Sequence, residues 1–350
     1  MLPTSPRQRA RTWNHDAVTN GIRVDEPVRW GILGTAGIAE GAFLPALLEA
    51  GGGVASAVAS RDLTRARSWA AEHGVERGVR GYEAVVADPS IEAVYIPLPN
   101  GLHAEWTIAA LQAGKTVLCE KPLCVTPAET ERVLRVARGA AGPLWEAFVF
   151  PFHDQMELAR SSIDRGDIGE VREISSRFHF LLDDPGDIRM LAELSGGSIQ
   201  DVGCYPIRLA RLLLNREPDR DGAIARASWT DTGVDTELWG ALTFPDDRRL
   251  VMSCGFRSRG GTLASVLGSD GEIRMTNPFH PGAADTITVV GPAGEESRPA
   301  APSGERSFTS GIRHIHQVVH GLEPARHLAV DEAMGNARAI ASLLRAARGG

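Results

Sequence analysis

Val28-Arg29-Trp30-Gly31-Ile32-Leu33-Gly34-Thr35-Ala36-Gly37-Ile38-Ala39 runs from a short apolar segment into a glycine turn and then into a helical pattern. A parallel strand ending on such a turn aims backbone N–H groups, and the positive end of the next helix, at one point where a pyrophosphate can be held. Read as G-x-G-x-x-A, the register is Gly34, Ala36 and Ala39, with alanine in place of the second glycine. Gly34, Thr35, Ala36, Gly37 and Ile38 are therefore the candidate phosphate contacts. Downstream, apolar runs at 54–59, 93–97, 116–119 and 144–149 alternate with amphipathic stretches, the pattern of βα units on a parallel sheet. Residues 62–73 are one such stretch, with Asp62 as the expected cap and Leu63, Ala66, Trp69 and Ala70 at helical spacing.

Beyond residue 150 the pattern changes. A helix and a strand near 171–181 precede a glycine-rich turn and a second helix. Strand-like runs follow at 223–230, 236–244, 250–256 and 286–290, and Pro245-Asp246-Asp247 is a hairpin signal. Strands joined so briefly pair antiparallel. The expected organisation is a tail at 1–27, a Rossmann dinucleotide-binding domain at 28–150, a substrate and oligomerisation domain at 151–330 and a C-terminal helix at 331–350. The fold class is α/β, with an α+β second half.

The 350 residues suffice for about two domains. With 43% hydrophobic and 23% charged residues, the chain can bury a sizeable core. Its 37 basic and 44 acidic residues leave a net charge of −7 with no long basic block, which argues against nucleic acid or an anionic membrane as the main partner. Uncharged stretches such as 50–60 and 93–104 fall well short of the ~20 apolar residues of a membrane helix. Arg7, Arg9 and Arg11 mark the first segment, which lacks the apolar core of a secretory signal; the expectation is a retained tail on a cytoplasmic protein. Cys119, Cys124, Cys204 and Cys254 form no C-x-x-C pair, so neither a disulfide scaffold nor a structural zinc is expected.

The second strand ends Val58-Ala59-Ser60-Arg61-Asp62. NAD enzymes usually place a carboxylate there, on the ribose 2′-hydroxyl. A hydroxyl and a guanidinium, Ser60 and Arg61, suit a 2′-phosphate instead and favour NADP over NAD. The plainer alternative makes Arg61 a solvated first-turn residue and Asp62 only a helix cap.

Two further segments carry a family resemblance. One is Tyr95-Ile96-Pro97-Leu98-Pro99-Asn100-Gly101-Leu102-His103 with Gly114-Lys115-Thr116-Val117-Leu118-Cys119-Glu120-Lys121-Pro122; the other is Gly196-Gly197-Ser198-Ile199-Gln200-Asp201-Val202-Gly203-Cys204-Tyr205. With the glycine turn they span residues 28–205, and the chain resembles the Gfo/Idh/MocA oxidoreductases, the glucose-fructose oxidoreductase and inositol dehydrogenase family. Glu146 to His153 and Asp187-Ile188-Arg189 are similar to the NADP-dependent xylose and dihydrodiol dehydrogenases, and to nucleotide-sugar 3-ketoreductases. The resemblance implies a second domain with an open, mostly antiparallel sheet that forms a homo-oligomer face. It implies that Lys121 contacts the reacting oxygen and the nicotinamide ribose, that Asp201 orients the substrate and that Tyr205 exchanges the proton. The family packs the nicotinamide side where Pro97, Asn100 and His103 lie; Glu120 is a further candidate cofactor contact, and Arg189 and His153 are candidate sugar-hydroxyl or phosphate contacts.

Hydride transfer to or from a carbinol carbon also needs a proton at the oxygen. Asp201 and Tyr205 stand at i and i+4, on one face of a helix. A neighbouring Lys121 ammonium is expected to bring the Tyr205 phenol toward neutrality, making the two one acid–base unit. Taken alone, Tyr205 reads first as a packing residue with a satisfied hydroxyl, a reading the motif reverses, and Cys204 as small filler. Asn100 and His103 fit helix capping as well as cofactor contact, and Arg189 and His153 fit structural hydrogen bonds as well as sugar contacts. His316 and His320 have the spacing of a zinc-protease helix, but Gln317 replaces the general-base Glu, so hydrolysis is excluded. His314 or His316 either reaches the substrate pocket or is exposed.

The leading expectation is an NADP(H)-dependent oxidoreductase acting on a pyranose-type sugar or cyclic polyol, at C1 or as a C3 ketone. The alternatives are a nucleotide-sugar 3-ketoreductase of deoxysugar synthesis, a cofactor-binding regulator without catalysis, and redox-assisted glycoside cleavage with tightly held NAD.

Overall fold

The computed structural model describes residues 26–184, 186–302 and 304–349, so the expected tail lies almost wholly outside the described residues. The first sheet contains β1 (Val28–Leu33), β2 (Gly53–Ser60), β3 (Gly78–Arg80), β4 (Ala93–Ile96), β5 (Thr116–Cys119) and β6 (Leu144–Glu146). All pair in parallel in the order β3-β2-β1-β4-β5-β6. The order reverses between β1 and β4, the point at which open α/β sheets bind ligands beyond their carboxyl ends. Every residue of β4 and β5 is buried, which is why these strands read as uninterrupted apolar runs. The connecting helices are α1 (Leu44–Ala50), α2 (Leu63–His73), α3 (Tyr82–Val86), α4 (His103–Gln112) and α5 (Pro127–Ala137). Asp62 caps α2, accepting the N–H groups of Thr64 at 2.8 Å and Arg65 at 3.4 Å.

Within this first half two elements depart from the sequence reading by more than a residue at an end. The short edge strand β3 was not expected, and β6 stops at Glu146: Ala147 still donates to the Cys119 carbonyl, but the chain then turns into a 3-10 segment at Phe150–Phe152.

In the second half come α6 (Asp154–Arg165), β7 (Val171–Leu181), α7 (Cys204–Leu214), β8 (Ala223–Trp229), β9 (Asp235–Phe244), β10 (Arg248–Gly255), β11 (Arg257–Gly268), β12 (Glu272–Met275), β13 (Thr286–Gly291) and β14 (Gly294–Pro299). The sheet order is β14-β13-β12-β11-β7-β10-β9-β8, antiparallel except for the β7–β10 pair. Asp246 and Asp247, both at positive φ, turn the β9–β10 hairpin. One face of the sheet packs Ile174, Leu238, Leu250 and Val266 against α7, all of whose residues are buried. The other face leaves Trp239, Val251, Leu263 and Leu267 exposed.

The packing does not change at residue 330, where the second domain was expected to end. Helix α8 (Ser307–Val319) returns to the first sheet, where Phe308, Ile312 and Ile315 join Trp30, Phe43 and Val58 in one core. Helix α9 (Ala329–Ala347) then bridges both halves: Ala329 and Ala333 pack with the first, Ala339, Ile340 and Leu343 with the second.

The two histidines of α8 neither reach the cleft nor face solvent, which overturns both expectations for them. His316 accepts a hydrogen bond from Trp30 Nε1 at 2.9 Å and donates to the Gly51 carbonyl at 2.8 Å. His314 pairs with Glu323 and accepts the Arg326 N–H at 3.0 Å. Among the described residues no group of side chains is placed to hold a metal ion, and no helix is long and apolar enough to cross a membrane.

Candidate active site

At the carboxyl end of β5 the chain delivers Glu120 and Lys121 to the cleft between the two sheets. Lys121 Nζ donates to Asp201 Oδ1 at 2.9 Å and to the Asp201 main-chain carbonyl at 2.7 Å. The other Asp201 oxygen accepts from Arg189 Nε at 2.8 Å, and the same guanidinium reaches Asp187 at 3.2 Å. The Tyr205 ring lies 5.2 Å from the Lys121 ammonium and is walled by Phe148, Phe178 and Phe279, with centroids 5.1 to 5.3 Å away. Lys121, Arg189, Asp201 and Tyr205 thus converge, with the lysine from one half and the other three from the second.

The charges hold one another. Burial alone would lower the Lys121 pKa, but the Asp201 carboxylate together with Tyr205, Cys204 and Glu120 more than offsets it and keeps the ammonium charged. Burial would raise Asp201; Lys121 and Arg189 together pull it below the ordinary carboxylate range. For Tyr205 the expectation fails. Burial raises the phenol more than the Lys121 ammonium lowers it, so the net shift is upward and the hydroxyl stays protonated at neutral pH.

Local structure explains the placement. Asp235, 3% exposed, accepts the Ser198 hydroxyl at 2.7 Å and the Ile199 N–H at 2.8 Å, fixing the start of the segment that leads into α7. Gly197 sits at φ +131°, and a Cβ there would lie 2.3 Å from Asp235 Oδ1, so glycine is required. Residues Ile199–Gly203 form a π-turn rather than the expected α-helix, a widening common at functional sites. Glu120 is also braced: Tyr95 donates to one oxygen at 2.7 Å, and the Lys121 N–H reaches the other at 3.3 Å.

The glycine turn has the form of a phosphate cradle. Gly34 adopts φ +103°, and a Cβ would meet the Leu98 side chain at 3.1 Å. Thr35 and Ala36 are half-buried, Gly37 and Ile38 are exposed, and the N–H groups of a first helical turn have no partner within the helix. At the end of β2, Ser60 accepts the Asp62 N–H at 3.2 Å. Arg61 is exposed, and Arg65 donates from Nε to Thr35 Oγ1 at 2.7 Å. Asp62 uses Oδ1 to cap α2. Two guanidiniums and a hydroxyl at this strand end fit a 2′-phosphorylated dinucleotide. Pro97 is buried beside this turn, and Asn100 donates from Nδ2 to the Ser195 carbonyl at 3.0 Å, tying the β4–α4 loop to the second half.

Residues 28–148 match the family model described as an oxidoreductase family with an NAD-binding Rossmann fold, and residues 156–274 match the GFO/IDH/MocA C-terminal domain. The chain belongs to the Gfo/Idh/MocA oxidoreductase family. It is 41% identical over 267 residues to a D-xylose 1-dehydrogenase (NADP(+)) of Haloferax volcanii, covering 75% of this chain and 80% of that protein. It is 37% identical to a dTDP-3,4-didehydro-2,6-dideoxy-alpha-D-glucose 3-reductase of Streptomyces violaceoruber, over 83% of this chain and 86% of that one. A solved 3-ketoreductase from Actinomadura kijaniata in complex with NADP and TDP-benzene superposes with a TM-score of 0.80 at 33% identity, covering 93% and 98% of the two chains.

Two expected contacts of this Gfo/Idh/MocA chain are committed elsewhere. His103 is fully buried, and its ring nitrogens meet the carbonyls of Pro122 at 2.8 Å and Leu98 at 2.7 Å. It clamps the loop after β5 to the loop after β4 and offers no ring nitrogen to a cofactor. His153, 3% exposed, caps α6 by accepting the Gln155 N–H at 3.1 Å and donates to the Glu305 carbonyl at 3.2 Å, so it is not a sugar contact. Cys204 is buried, which pushes its thiol up and keeps it from acting as a thiolate. Three residues escaped the sequence reading: Arg65 on α2, whose spacing of four from Arg61 was the available signal; Tyr95; and His280, whose ring centroid lies 5.6 Å from that of Tyr205.

Proposed function

We propose that this chain is an NADP(H)-dependent oxidoreductase that moves a hydride between nicotinamide and a carbon of a pyranose-type sugar or cyclic polyol. The meeting of Lys121, Asp201, Arg189 and Tyr205 at the carboxyl edge of the first sheet carries the reading. When bound, the nicotinamide supplies or accepts the hydride. Lys121 donates a hydrogen bond to the reacting oxygen, and Asp201 fixes that ammonium in place. Tyr205, kept protonated by burial, gives its proton to the oxygen as a ketone becomes an alcohol and recovers it in the reverse direction. Arg189 binds a substrate hydroxyl or phosphate. The N–H groups of Gly34, Thr35, Ala36, Gly37 and Ile38 take the pyrophosphate, Ser60, Arg61 and Arg65 the 2′-phosphate, and Pro97 and Asn100 flank the nicotinamide, with Glu120 bracing Lys121.

The test is turnover of the purified protein with NADPH or NADP+ across free sugars, keto sugars and their nucleotide conjugates. Faster reaction with the phosphorylated cofactor is expected, and no turnover anywhere in the panel overturns the proposal.

A nucleotide-sugar 3-ketoreductase is the second reading, favoured by the long match to the Streptomyces enzyme. Competition by TDP separates it from action on free sugars. The intact Lys121–Asp201 pair beside Tyr205 argues against a catalytically silent regulator, and the Ser60, Arg61 and Arg65 set against glycoside cleavage with bound NAD. The exposed Trp239, Val251, Leu263 and Leu267 support a homo-oligomer formed through the second sheet, to be read by light scattering. Four free cysteines among the described residues are consistent with the reducing cytoplasm.

A further inference from the structure

We propose that His280 is a substrate-binding residue that sets sugar specificity, presenting its imidazole to a hydroxyl of the sugar seated against Tyr205. The inference rests on the proposed function and names a contact that the reading above does not supply.

His280 lies in the loop between β12 and β13, in Asn277-Pro278-Phe279-His280-Pro281-Gly282. Its ring stands at 72° to that of Tyr205, with centroids 5.6 Å apart, and 6.5 Å from that of Phe178. The residue is exposed, and among the described residues neither ring nitrogen has a hydrogen-bond partner. This is an imidazole at the rim of the site with its whole bonding capacity unspent.

The loop presents it rigidly. Asn277 brackets the residue, accepting the His280 N–H at 3.2 Å and donating to the His280 carbonyl at 2.6 Å. Thr262 and Gln155 hold Asn277 in turn, at 2.8 Å and 3.1 Å. The neighbouring Phe279 is fully buried, stacked on Phe178 at 5.7 Å and edge-on to Phe150 at 5.4 Å. A contact whose backbone is fixed beforehand loses little freedom on binding. The surrounding protein and the Lys121 ammonium hold His280 below the ordinary imidazole range, so at neutral pH it is a neutral ring with one donor and one acceptor, matching what a sugar hydroxyl offers.

The experiment compares His280→Ala and His280→Gln with the wild type in steady-state turnover of D-xylose and D-glucose, with NADPH affinity measured separately by fluorescence. His280→Ala is expected to raise the sugar KM about tenfold while kcat changes less than about threefold and NADPH affinity holds, and His280→Gln to recover part of the loss, since its amide also donates and accepts. The readout independent of turnover is the imidazole signal of 15N-histidine-labelled protein carrying NADP+, assigned by its loss in the variants; it should shift on addition of the sugars. Unchanged KM in both variants, with an imidazole signal unmoved by a sugar that the enzyme turns over, overturns the proposal. Failure of the wild type to turn over any sugar or conjugate defeats the proposed function itself, a result that the two variants cannot mimic.

Discussion

Lys121 reaches Asp201 twice, through the carboxylate at 2.9 Å and through the main-chain carbonyl at 2.7 Å. This double anchorage spans the cleft. Replacing Asp201 by Asn removes the largest of the charges that favour the Lys121 ammonium and leaves Arg189 with one carboxylate fewer. A fall in kcat of about 100-fold is expected, roughly 3 kcal/mol of barrier, with NADPH affinity changed less than about threefold. Unaltered kcat would show that the pair is structural only.

Tyr205→Phe removes the proposed proton donor and keeps the ring that fills the aromatic wall. Turnover should fall by roughly 10²- to 10⁴-fold, the range for loss of a general acid, while thermal stability and cofactor binding hold. Retained turnover would move the proton to another group.

The proposed 2′-phosphate contacts Arg61 and Arg65 stand four residues apart, and Arg65 is tied to the glycine turn by its hydrogen bond to Thr35. Their joint replacement by Ala should lower kcat/KM for NADPH by at least about 30-fold, since each charge-assisted contact contributes on the order of 1.5 to 3 kcal/mol, and leave that for NADH nearly unchanged. An equal loss with both cofactors would place the arginines outside the 2′-phosphate site.

His316 can accept from Trp30 only as a neutral ring, and burial, against the Gly51 carbonyl, pushes it down to about 4. Its pKa is thus depressed relative to an unfolded value near 6.5. Because the unfolded chain binds the proton more tightly, the stabilisation is complete above about pH 6.5 and is lost as pH falls toward 4, an effect of about 3 kcal/mol at most. His316→Leu should lower Tm at pH 7.5, and the gap to the wild type should narrow between pH 6.5 and 4. A gap constant with pH would show that the ring does not titrate as argued.

At Gly197 an added Cβ has nowhere to go. Gly197→Ala should cost at least about 2 kcal/mol from the left-handed backbone and the clash with Asp235, read as a lower denaturation midpoint. A variant as stable as the wild type would mean that the turn relaxes freely.

The first half was legible because its strands are buried on both faces, so β1 and β5 announce themselves as apolar runs bounded by turns. The second half was less so. Strand β14, Gly-Glu-Glu-Ser-Arg-Pro, is exposed at every position, as suits the edge of a sheet, and carries no apolar signal. Strand β11 begins with five exposed residues, Arg257 to Gly261, and reads as a loop. In the site, motif spacing located Lys121, Asp201 and Tyr205, but the balance of burial against charge that raises Tyr205 depends on three phenylalanines from separate segments. His103 and His153 misled because one residue type serves as ligand or as buried clamp, and only burial separates the roles. His280 sits between prolines at no repeating interval, so only its proximity to Tyr205 reveals it.

The homeward path of α8 has a bearing on how the molecule can be taken apart. Because Phe308, Ile312 and Ile315 line the core beneath Trp30, a fragment ending at residue 150 would leave an uncovered oily floor where that helix belongs. The two family modules are therefore not independent building blocks: α8 finishes the first, α9 packs against both, and excising or transplanting either one requires carrying the C-terminal helices along.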